Sequence, residues 1–189
     1  MATMTEGTAP TQQKLLDMET VGQVFKNFAP AVIPGKYQTH AYATTRLAEA
    51  RDLLDLPDTV AQTVDLRMAR GQLINDTDRS FHAVIAEHVL YGATADPDVM
   101  TEQLEHLLVL ADKPNVRLGI LPTRARVTAS PMSHIDIVDD STVSIETMAV
   151  TYRITDAPEV AMYLSMFDTY AQAAVYGDRA SSLIRQARL

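Results

Sequence analysis

The stretch Phe81-His82-Ala83-Val84-Ile85-Ala86-Glu87 marks a change in hydrophobic periodicity along the chain. It is short and apolar and contains the β-branched pair Val84-Ile85, so it predicts a buried strand. Before it, apolar residues recur at three- and four-residue steps, which is the period of helices. These predicted helices cover residues 14–30, 39–54 and 58–74. A chain that begins with helices and continues with strands points to the α+β class.

Downstream of this strand the sequence is rich in further short strands. The predicted elements are a helix over residues 97–111, strands over 116–121, 135–138, 143–147 and 150–154, and helices over 157–176 and 178–188. The close spacing of the last three strands favours antiparallel pairing. We therefore expect one α+β domain over residues 13–189, with N-terminal helices, a small and mainly antiparallel sheet of about five strands, and C-terminal helices. Residues 1–12 are expected to form a flexible tail.

The composition excludes several classes of function. The formal net charge is −8 and the basic residues do not cluster, so nucleic-acid binding is not expected. The chain contains no cysteine, which excludes disulfides and cysteine-based zinc sites. No apolar stretch is long enough to span a bilayer, and the N-terminus does not have the pattern of a signal peptide. We expect a cytoplasmic protein that binds neither nucleic acid nor membranes.

Six short segments occur in an order that is typical of one protein family. They are Val32-Ile33-Pro34-Gly35-Lys36-Tyr37-Gln38-Thr39, Arg67-Met68-Ala69-Arg70, Ala86-Glu87-His88-Val89-Leu90, Gln103-Leu104-Glu105-His106-Leu107-Leu108, the stretch from Pro114 to Pro122, and Val143-Ser144-Ile145-Glu146-Thr147. Together they resemble the domain of unknown function that follows an XRE-type helix-turn-helix in actinobacterial antitoxin-like transcriptional regulators. We expect this chain to lack that helix-turn-helix.

The resemblance implies a free-standing sensing domain. In such regulators this half is inferred to bind a small-molecule ligand or a small partner protein, and the regulators commonly form homodimers. A second interpretation is a truncated regulator whose DNA-binding helices precede this sequence. A third is a cofactor-independent enzyme of small-molecule biosynthesis, a cyclase, isomerase or dehydratase, since such reactions need little more than shape and a proton shuttle.

Two glutamates are candidate catalytic groups. Glu87 ends an apolar strand and Glu146 lies in a later strand, so each could face a pocket and transfer protons there. Both also stand where the family carries an acidic residue. The alternative for Glu87 is an ion pair with Arg67 or Arg70, and the alternative for Glu146 is a solvent-facing position.

Arg67 and Arg70 share one face of a predicted helix because they are three residues apart. They are suited either to clamp an anionic ligand or to form structural ion pairs. Both interpretations stay open from the sequence, and we treat both residues as candidate ligand-binding groups. Gly71 stands where the family usually continues with glutamine, which leaves the local register of side chains undetermined.

The segment from Lys36 to His40 departs from the family pattern. The family usually has two leucines where this chain has Lys36 and Tyr37, and an acidic residue near the place of His40. These polar side chains can donate or accept protons. Lys36, Tyr37 and Gln38 are therefore candidate ligand-binding residues and His40 is a candidate catalytic residue. The alternative is simple drift of a surface loop.

His134 is the remaining candidate ligand-binding residue. It shares one face of a predicted strand with Asp136, since strand residues two apart point the same way. A metal site at Glu87-His88 is not expected, because neighbouring strand residues point to opposite faces. No phosphate-binding or dinucleotide-binding glycine motif occurs, so no cofactor is expected.

Overall fold

The computed structural model describes residues 2–3, 8–92, 96–128, 130, 132–147 and 150–188. Its strands are β1 (Ala2–Thr3), β2 (Val24–Ala29), β3 (Ser80–Ala86), β4 (Val116–Leu121), β5 (His134–Val138), β6 (Thr142–Glu146) and β7 (Val150–Ile154). Its helices are α1 (Ala9–Val21), α2 (His40–Leu54), α3 (Val60–Gln72), α4 (Pro97–Ala111), α5 (Ala157–Ala173) and α6 (Asp178–Gln186). These elements form a single α+β domain, as expected from the sequence.

The sheet is mixed rather than mainly antiparallel. Its strand order is β1-β7-β6-β5-β2-β3-β4. Strands β2, β3 and β4 pair in parallel, and the remaining neighbours pair antiparallel. In the described part of the chain, six strands have five residues or more, instead of the expected five, and β1 adds a two-residue edge. The prediction failed because it did not include the central strand, β2.

Strand β2 lies inside the stretch that was predicted to be a single helix over residues 14–30. Helix α1 ends at Val21, and the chain turns at Gly22 into an extended backbone. A Cβ atom added to Gly22 would lie 2.6 Å from Cγ1 of Val138, so a larger side chain here would push β2 away from β5. The Asp139 carboxylate accepts hydrogen bonds of 2.8 Å from the backbone N–H groups of Gln23 and Val24 and so fixes the start of the strand.

Most other elements occur where the sequence predicts them. Strand β4 and helix α4 have the predicted bounds. The side chain of Thr39 caps α2 by accepting a hydrogen bond from the backbone N–H of Tyr42. The later strands β5, β6 and β7 pair antiparallel, as their close spacing indicates.

The predicted flexible tail over residues 1–12 overlaps α1. Ala9, Thr11 and Gln12 belong to this helix and are buried. At residues 9–12 the chain therefore forms the buried first turn of a helix and does not form a flexible tail. Residues 2–3 pair with β7 as β1. The prediction for residues 1 and 4–7 lies outside the described residues.

The two faces of the sheet carry separate apolar cores. One core includes Phe25, Leu104 and Leu107 and lies under α1, α4 and α6. The other includes Phe28, Phe167 and Tyr170 and lies under α5. Among the helices of the described residues, none combines the length and hydropathy needed to cross a membrane.

The loop before α2 is anchored by a buried amide. Gln103 of α4 is fully buried and donates a 2.8 Å hydrogen bond to the carbonyl of Tyr37, which belongs to a 3₁₀ helix, Gly35–Tyr37. Its side-chain oxygen accepts a 2.7 Å hydrogen bond from the backbone N–H of Thr39. These two bonds hold residues 37–39 against α4, and in this position Lys36 bonds to Glu19 of α1 and Gln38 to Arg67 of α3.

Candidate functional site

Strand register brings polar side chains together on one face of the sheet. Asn27 of β2 pairs with Asp136 of β5, and Asp136 pairs with Ser144 of β6. His134 of β5 pairs with Glu146 of β6. Directly paired residues share a face of the sheet, and so do strand residues two apart. All five side chains therefore lie on the face that α1 and α3 cover.

Glu19 of α1 is the centre of a buried ion network below these residues. The guanidinium of Arg70 donates two hydrogen bonds of 2.8 Å, one to each carboxylate oxygen of Glu19. The ammonium of Lys36 lies 2.7 Å from the same carboxylate. Glu19 is 1% exposed, and Lys36 and Arg70 are each 3% exposed. Such a network is stable only because every charge in it has a partner.

The electrostatics keep the network ionised at neutral pH. Burial would raise the pKa of Glu19, but Lys36 and Arg70 outweigh burial and hold that pKa below its ordinary value. Burial would lower the pKa of Arg70, but Glu19 outweighs it and raises that pKa. The three side chains therefore behave as one charged unit that fixes α1 and α3 to the loop containing Lys36.

Asp136 connects this unit to the strand residues. Its carboxylate accepts hydrogen bonds from the side-chain amide of Asn27 and from Nε2 of His134, the latter at 3.1 Å. The ammonium of Lys36 lies 4.0 Å from the same carboxylate. Burial would raise the pKa of Asp136, but His134 and Lys36 lower it well below its usual range. Burial would lower the pKa of His134, but Asp136, followed by Glu146, raises it above 6.5.

The substitution Asp136→Asn should lower the pKa of His134, because it removes the carboxylate that stabilises the imidazolium. In the unchanged protein the folded-state pKa of His134 is raised, so its contribution to stability is complete below pH 6.5 and is lost as the pH rises through the folded-state value. This loss should shrink in Asp136→Asn. Imidazole NMR titration and urea unfolding across this pH range measure both effects. A His134 pKa unchanged by Asp136→Asn would contradict the coupling, and Glu146→Gln should lower it less than Asp136→Asn does.

A partly enclosed cavity of about 170 Å³ opens beside these groups. Its charged and amide lining residues are Gln12, Gln38, Arg46, Arg67, Arg70, His134, Asp136 and Glu146. Its apolar lining comes from residues such as Val32, Ile33, Leu47 and Ala50. Polar groups that converge in an apolar-walled cavity are the usual form of a small-molecule site. We call this space the site cavity.

Arg67 and Glu146 differ from the other charged residues of the site cavity. Neither has an ion-pair partner within 4.0 Å among the described residues. Arg67 donates one hydrogen bond of 2.9 Å to Gln38, and its buried Nε has no partner in the described part of the chain. Burial lowers the pKa of Arg67 to about 10, although Glu146 acts in the opposite direction. Arg67 is therefore a cation at neutral pH that faces the site cavity.

The sequence matches a family over nearly its whole length. The matching family is described as "Domain of unknown function (DUF5753)", and the match covers residues 12–186. The chain belongs to the DUF5753 family. The match confirms the expectation that this chain is a domain of unknown function. A comparison with curated protein sequences finds no significant match.

Solved structures similar to this DUF5753 domain are distant from it. NucT from Helicobacter pylori is 11% identical, with a TM-score of 0.47, and the match covers 90% of this chain and 93% of that chain. TrmBL2, an archaeal chromatin protein described as having a novel mode of DNA binding, is 12% identical with a TM-score of 0.45. That match covers 91% of this chain and 53% of TrmBL2. Both TM-scores are below 0.5, so neither structure informs the function of the DUF5753 domain.

The structure brings five of the predicted site residues to the site cavity of the DUF5753 domain. They are Gln38, Arg67, Arg70, His134 and Glu146. The other two proposed catalytic residues lie elsewhere. His40 is the exposed first residue of α2 and borders two other surface depressions, and the Glu87 carboxylate accepts a 2.7 Å hydrogen bond from the backbone N–H of Thr123. The three proposed catalytic residues therefore do not meet in one pocket.

Lys36 and Tyr37 occupy the core rather than a surface loop, so the alternative of surface drift is wrong for them. Lys36 pairs with Glu19. Tyr37 is fully buried, and burial, followed by the charges of Asp136 and Glu19, raises the pKa of its phenol. Neither residue lines the site cavity. Both lie next to the site cavity in the core. Lys36 is close to the carboxylates of Glu19 and Asp136, and the charges of the same two carboxylates act on Tyr37.

The alternative considered for Glu87, an ion pair with Arg67 or Arg70, is also wrong. Arg70 pairs with Glu19, and Arg67 donates to Gln38. The structural interpretation of Arg70 is thus confirmed, since this side chain is held by a buried ion pair. Arg67 lines the site cavity and has no ion pair among the described residues.

Sequence reasoning missed three residues that build the site of the DUF5753 domain. Gln12 was assigned to the flexible tail and Glu19 to an ordinary position of the first predicted helix, although both share a buried face of α1 with Leu15. Acidic and amide side chains at apolar spacing were the signal that could have identified them. Asn27 was missed because its strand was predicted to be helical.

A metal ion is a poorer fit to the site cavity than an organic ligand. Ligand atoms of His134, Asp136 and Glu146 lie within 4.8 Å of one another, so these residues could hold an ion. The ammonium of Lys36, 4.0 Å from Asp136, and the guanidinium of Arg67 in the cavity wall would both repel a divalent cation.

Proposed function

We propose that this DUF5753 domain binds one small polar molecule in the site cavity. The observation that supports this most strongly is the pair of charged side chains, Arg67 and Glu146, that line the cavity without an ion-pair partner among the described residues. Nδ1 of His134 and Nε of Arg67 are also buried without a hydrogen-bond partner there. Buried polar groups left unpaired cost about 1–3 kcal/mol each. A bound ligand that pairs with them would remove this cost.

The size of the site cavity limits the ligand to a small metabolite. At about 170 Å³ it is smaller than the roughly 300–1,000 Å³ of sites that hold drug-sized molecules. Its apolar wall, which includes Ile33 and Leu47, suits a short hydrocarbon portion, and its polar wall suits charged ends. A large or wholly apolar ligand fits neither feature.

The family resemblance supports a sensing role for this binding. We propose that the domain corresponds to the sensing half of actinobacterial XRE-type regulators and acts in the cytoplasm without contacting DNA, which agrees with its net charge of −8. A small partner protein or a second copy of the chain would then read the bound state. Membership of DUF5753 supports the domain assignment, and the regulatory context is our extension of it.

Filling the site cavity should abolish ligand binding. Ala50 of α2 lines the cavity, so Ala50→Phe would occupy part of its volume. Ala69→Phe, at an exposed position of α3 outside the cavity, is the matched control. We expect a saturation-transfer NMR screen of small polar metabolites to find ligands that bind the unchanged protein and Ala69→Phe but not Ala50→Phe. Ligands that bind all three proteins equally would place the binding site elsewhere and refute the proposal.

A second candidate function is proton-transfer catalysis in the same cavity. The observation that favours it is the hydrogen bond of 3.1 Å between His134 and Asp136, with the other imidazole nitrogen unpartnered among the described residues. A carboxylate that orients a histidine is a common acid–base arrangement. The cofactor-independent cyclase, isomerase or dehydratase considered from the sequence would then use His134 and Glu146, while Glu87 and His40 lie away from this cavity. A cavity ligand that is converted by the unchanged protein and bound but not converted by His134→Asn would distinguish an enzyme from a sensor.

A further inference from the structure

The charges beneath the site cavity balance one another. Glu19 and Asp136 supply two anions, and Lys36 and Arg70 supply two cations, all four being buried. The distances are 2.7 Å and 2.8 Å from Glu19 to its two cations and 4.0 Å from Lys36 to Asp136. This set has no net charge. It therefore gives the site cavity no preference for an anion or a cation.

The ion pair between Arg46 and Glu49, at the edge of the site cavity, also has no net charge. Arg46 lines the site cavity and forms an ion pair of 2.5 Å with the exposed Glu49. His134 adds a positive charge only when it is protonated, and it then faces Asp136 at 3.1 Å. At pH values above the folded-state pKa of His134 the imidazole is neutral, and neither group then leaves a charge that a ligand must neutralise.

Arg67 and Glu146 are the charges that remain. Both line the site cavity, both are partly buried, and they lie too far apart to form an ion pair with each other within 4.0 Å. An anionic ligand alone would satisfy Arg67 but bring a like charge toward Glu146. A cationic ligand alone would do the reverse, and a neutral ligand would leave both charges without a direct ion pair.

We propose that the ligand of the site cavity is a small zwitterion of the amino-acid type, with its carboxylate on Arg67 and its ammonium on Glu146. This inference rests on the proposed function, because it names the chemical class of the molecule bound there. A carboxylate accepts paired hydrogen bonds from a guanidinium, and an ammonium donates charge-assisted hydrogen bonds to a carboxylate. The intervening carbon chain lies against the apolar wall.

The local structure holds Arg67 in position to bind a carboxylate. Gln38 accepts a hydrogen bond from Nη1 of Arg67 and donates one of 2.6 Å to the carbonyl of Ile33, so it fixes one side of the guanidinium. Gly35 lies against the other part of the side chain, where an added Cβ would be 3.3 Å from Nε of Arg67. A positioned guanidinium loses less conformational entropy when it binds a ligand than a mobile one does.

The test compares ligands that differ by one charge. The zwitterions are L-alanine, β-alanine and γ-aminobutyrate, and the analogues with one charge are propionate, butyrate, propylamine and butylamine. Dissociation constants are measured by NMR titration on the unchanged protein, on Glu146→Gln and on the control Glu49→Gln, which makes the same chemical change at an exposed position. We expect the best zwitterion to bind roughly tenfold to a hundredfold more tightly than either analogue of the same chain length, as for one charge-assisted hydrogen bond.

The variants locate the ammonium of the ligand. In Glu146→Gln the advantage of γ-aminobutyrate over butyrate should disappear, and in Glu49→Gln it should persist. Analogues with one charge that bind as tightly as the zwitterions would overturn the proposal. So would an advantage that survives in Glu146→Gln, or a metabolite screen whose cavity ligands are all neutral or singly charged. In these cases Ala50→Phe would still block binding and the proposed function would stand; if Ala50→Phe blocks nothing, the proposed function fails as well.

Discussion

Replacing Glu19 with alanine should lower the free energy of unfolding by about 3–5 kcal/mol, the usual cost of removing one partner from a buried ion pair. The substitution leaves Lys36 and Arg70 buried beside each other without their shared counter-ion. Urea unfolding measures the change. It should be the largest effect of any single substitution in the ion network because, within the described part of the chain, Glu19 alone accepts hydrogen bonds from both Lys36 and Arg70.

Two variants serve as controls for Glu19→Ala. Glu49→Ala removes the partner of Arg46 at the surface and should cost less than about 1 kcal/mol. Lys36→Leu leaves Glu19 paired with Arg70 and should cost less than Glu19→Ala. A Glu19→Ala effect as small as that of Glu49→Ala would mean that the network is hydrated rather than buried.

The pH dependence of stability has a definite sign at Glu19. Its folded-state pKa lies below the ordinary value of 4.5, so its contribution is complete above pH 4.5 and is lost as the pH falls through the folded-state value. Asp136 acts in the same direction from its ordinary value of 3.8. The unchanged protein should therefore lose stability in acid more steeply than Glu19→Ala does.

Phe28→Ala should lower the free energy of unfolding by about 3–5 kcal/mol, as is usual for a buried phenylalanine. Phe28 is fully buried near the end of β2, and its ring stacks on that of Tyr170 with centroids 4.1 Å apart. The substitution removes this contact between the sheet and α5 and leaves a cavity. Urea or thermal unfolding measures the loss.

Val24→Ala is the control for Phe28→Ala in the same strand. Val24 is 37% exposed at the start of β2, so its replacement should change stability by less than about 1 kcal/mol. Equal and small effects at both positions would contradict the central place of β2 in the sheet. This strand is the element on which the sequence and the structure differ most.

Local sequence patterns predicted most elements, but not the strand order. Helix α4 and strand β4 were predicted with their bounds, because each combines a clear period with an end signal such as Pro97. Strand β2 was missed because Val21 and Phe25 are four residues apart and continue the helical spacing of α1. The absence of β2 hid its parallel pairing with β3, and the close spacing of the later strands led to the expectation of a mainly antiparallel sheet, so the parallel pairing of β3 with β4 was not predicted either.

The candidate site was predicted only in part, because local sequence patterns do not reveal contacts between distant segments. Arg67 was identified because it shares a helix face with Arg70, and His134 because it shares a strand face with Asp136. The burial of Lys36 was missed because it depends on Glu19, 17 residues away, and on the position of Arg70 beyond it. Single-sequence patterns describe neighbours along the chain, whereas the partners of a buried charge come from distant segments.

The most direct test of the site cavity is an NMR titration that follows the Nε–H signal of Arg67 as the tightest-binding amino acid is added. We expect this signal to shift and saturate with the ligand. The Nε–H signal of Arg117, whose guanidinium stacks on Tyr176 at the opposite face of the sheet, should stay unchanged. An Arg67 signal that does not respond to the added amino acid, or that moves no more than the Arg117 signal, would contradict a small-molecule site in this cavity.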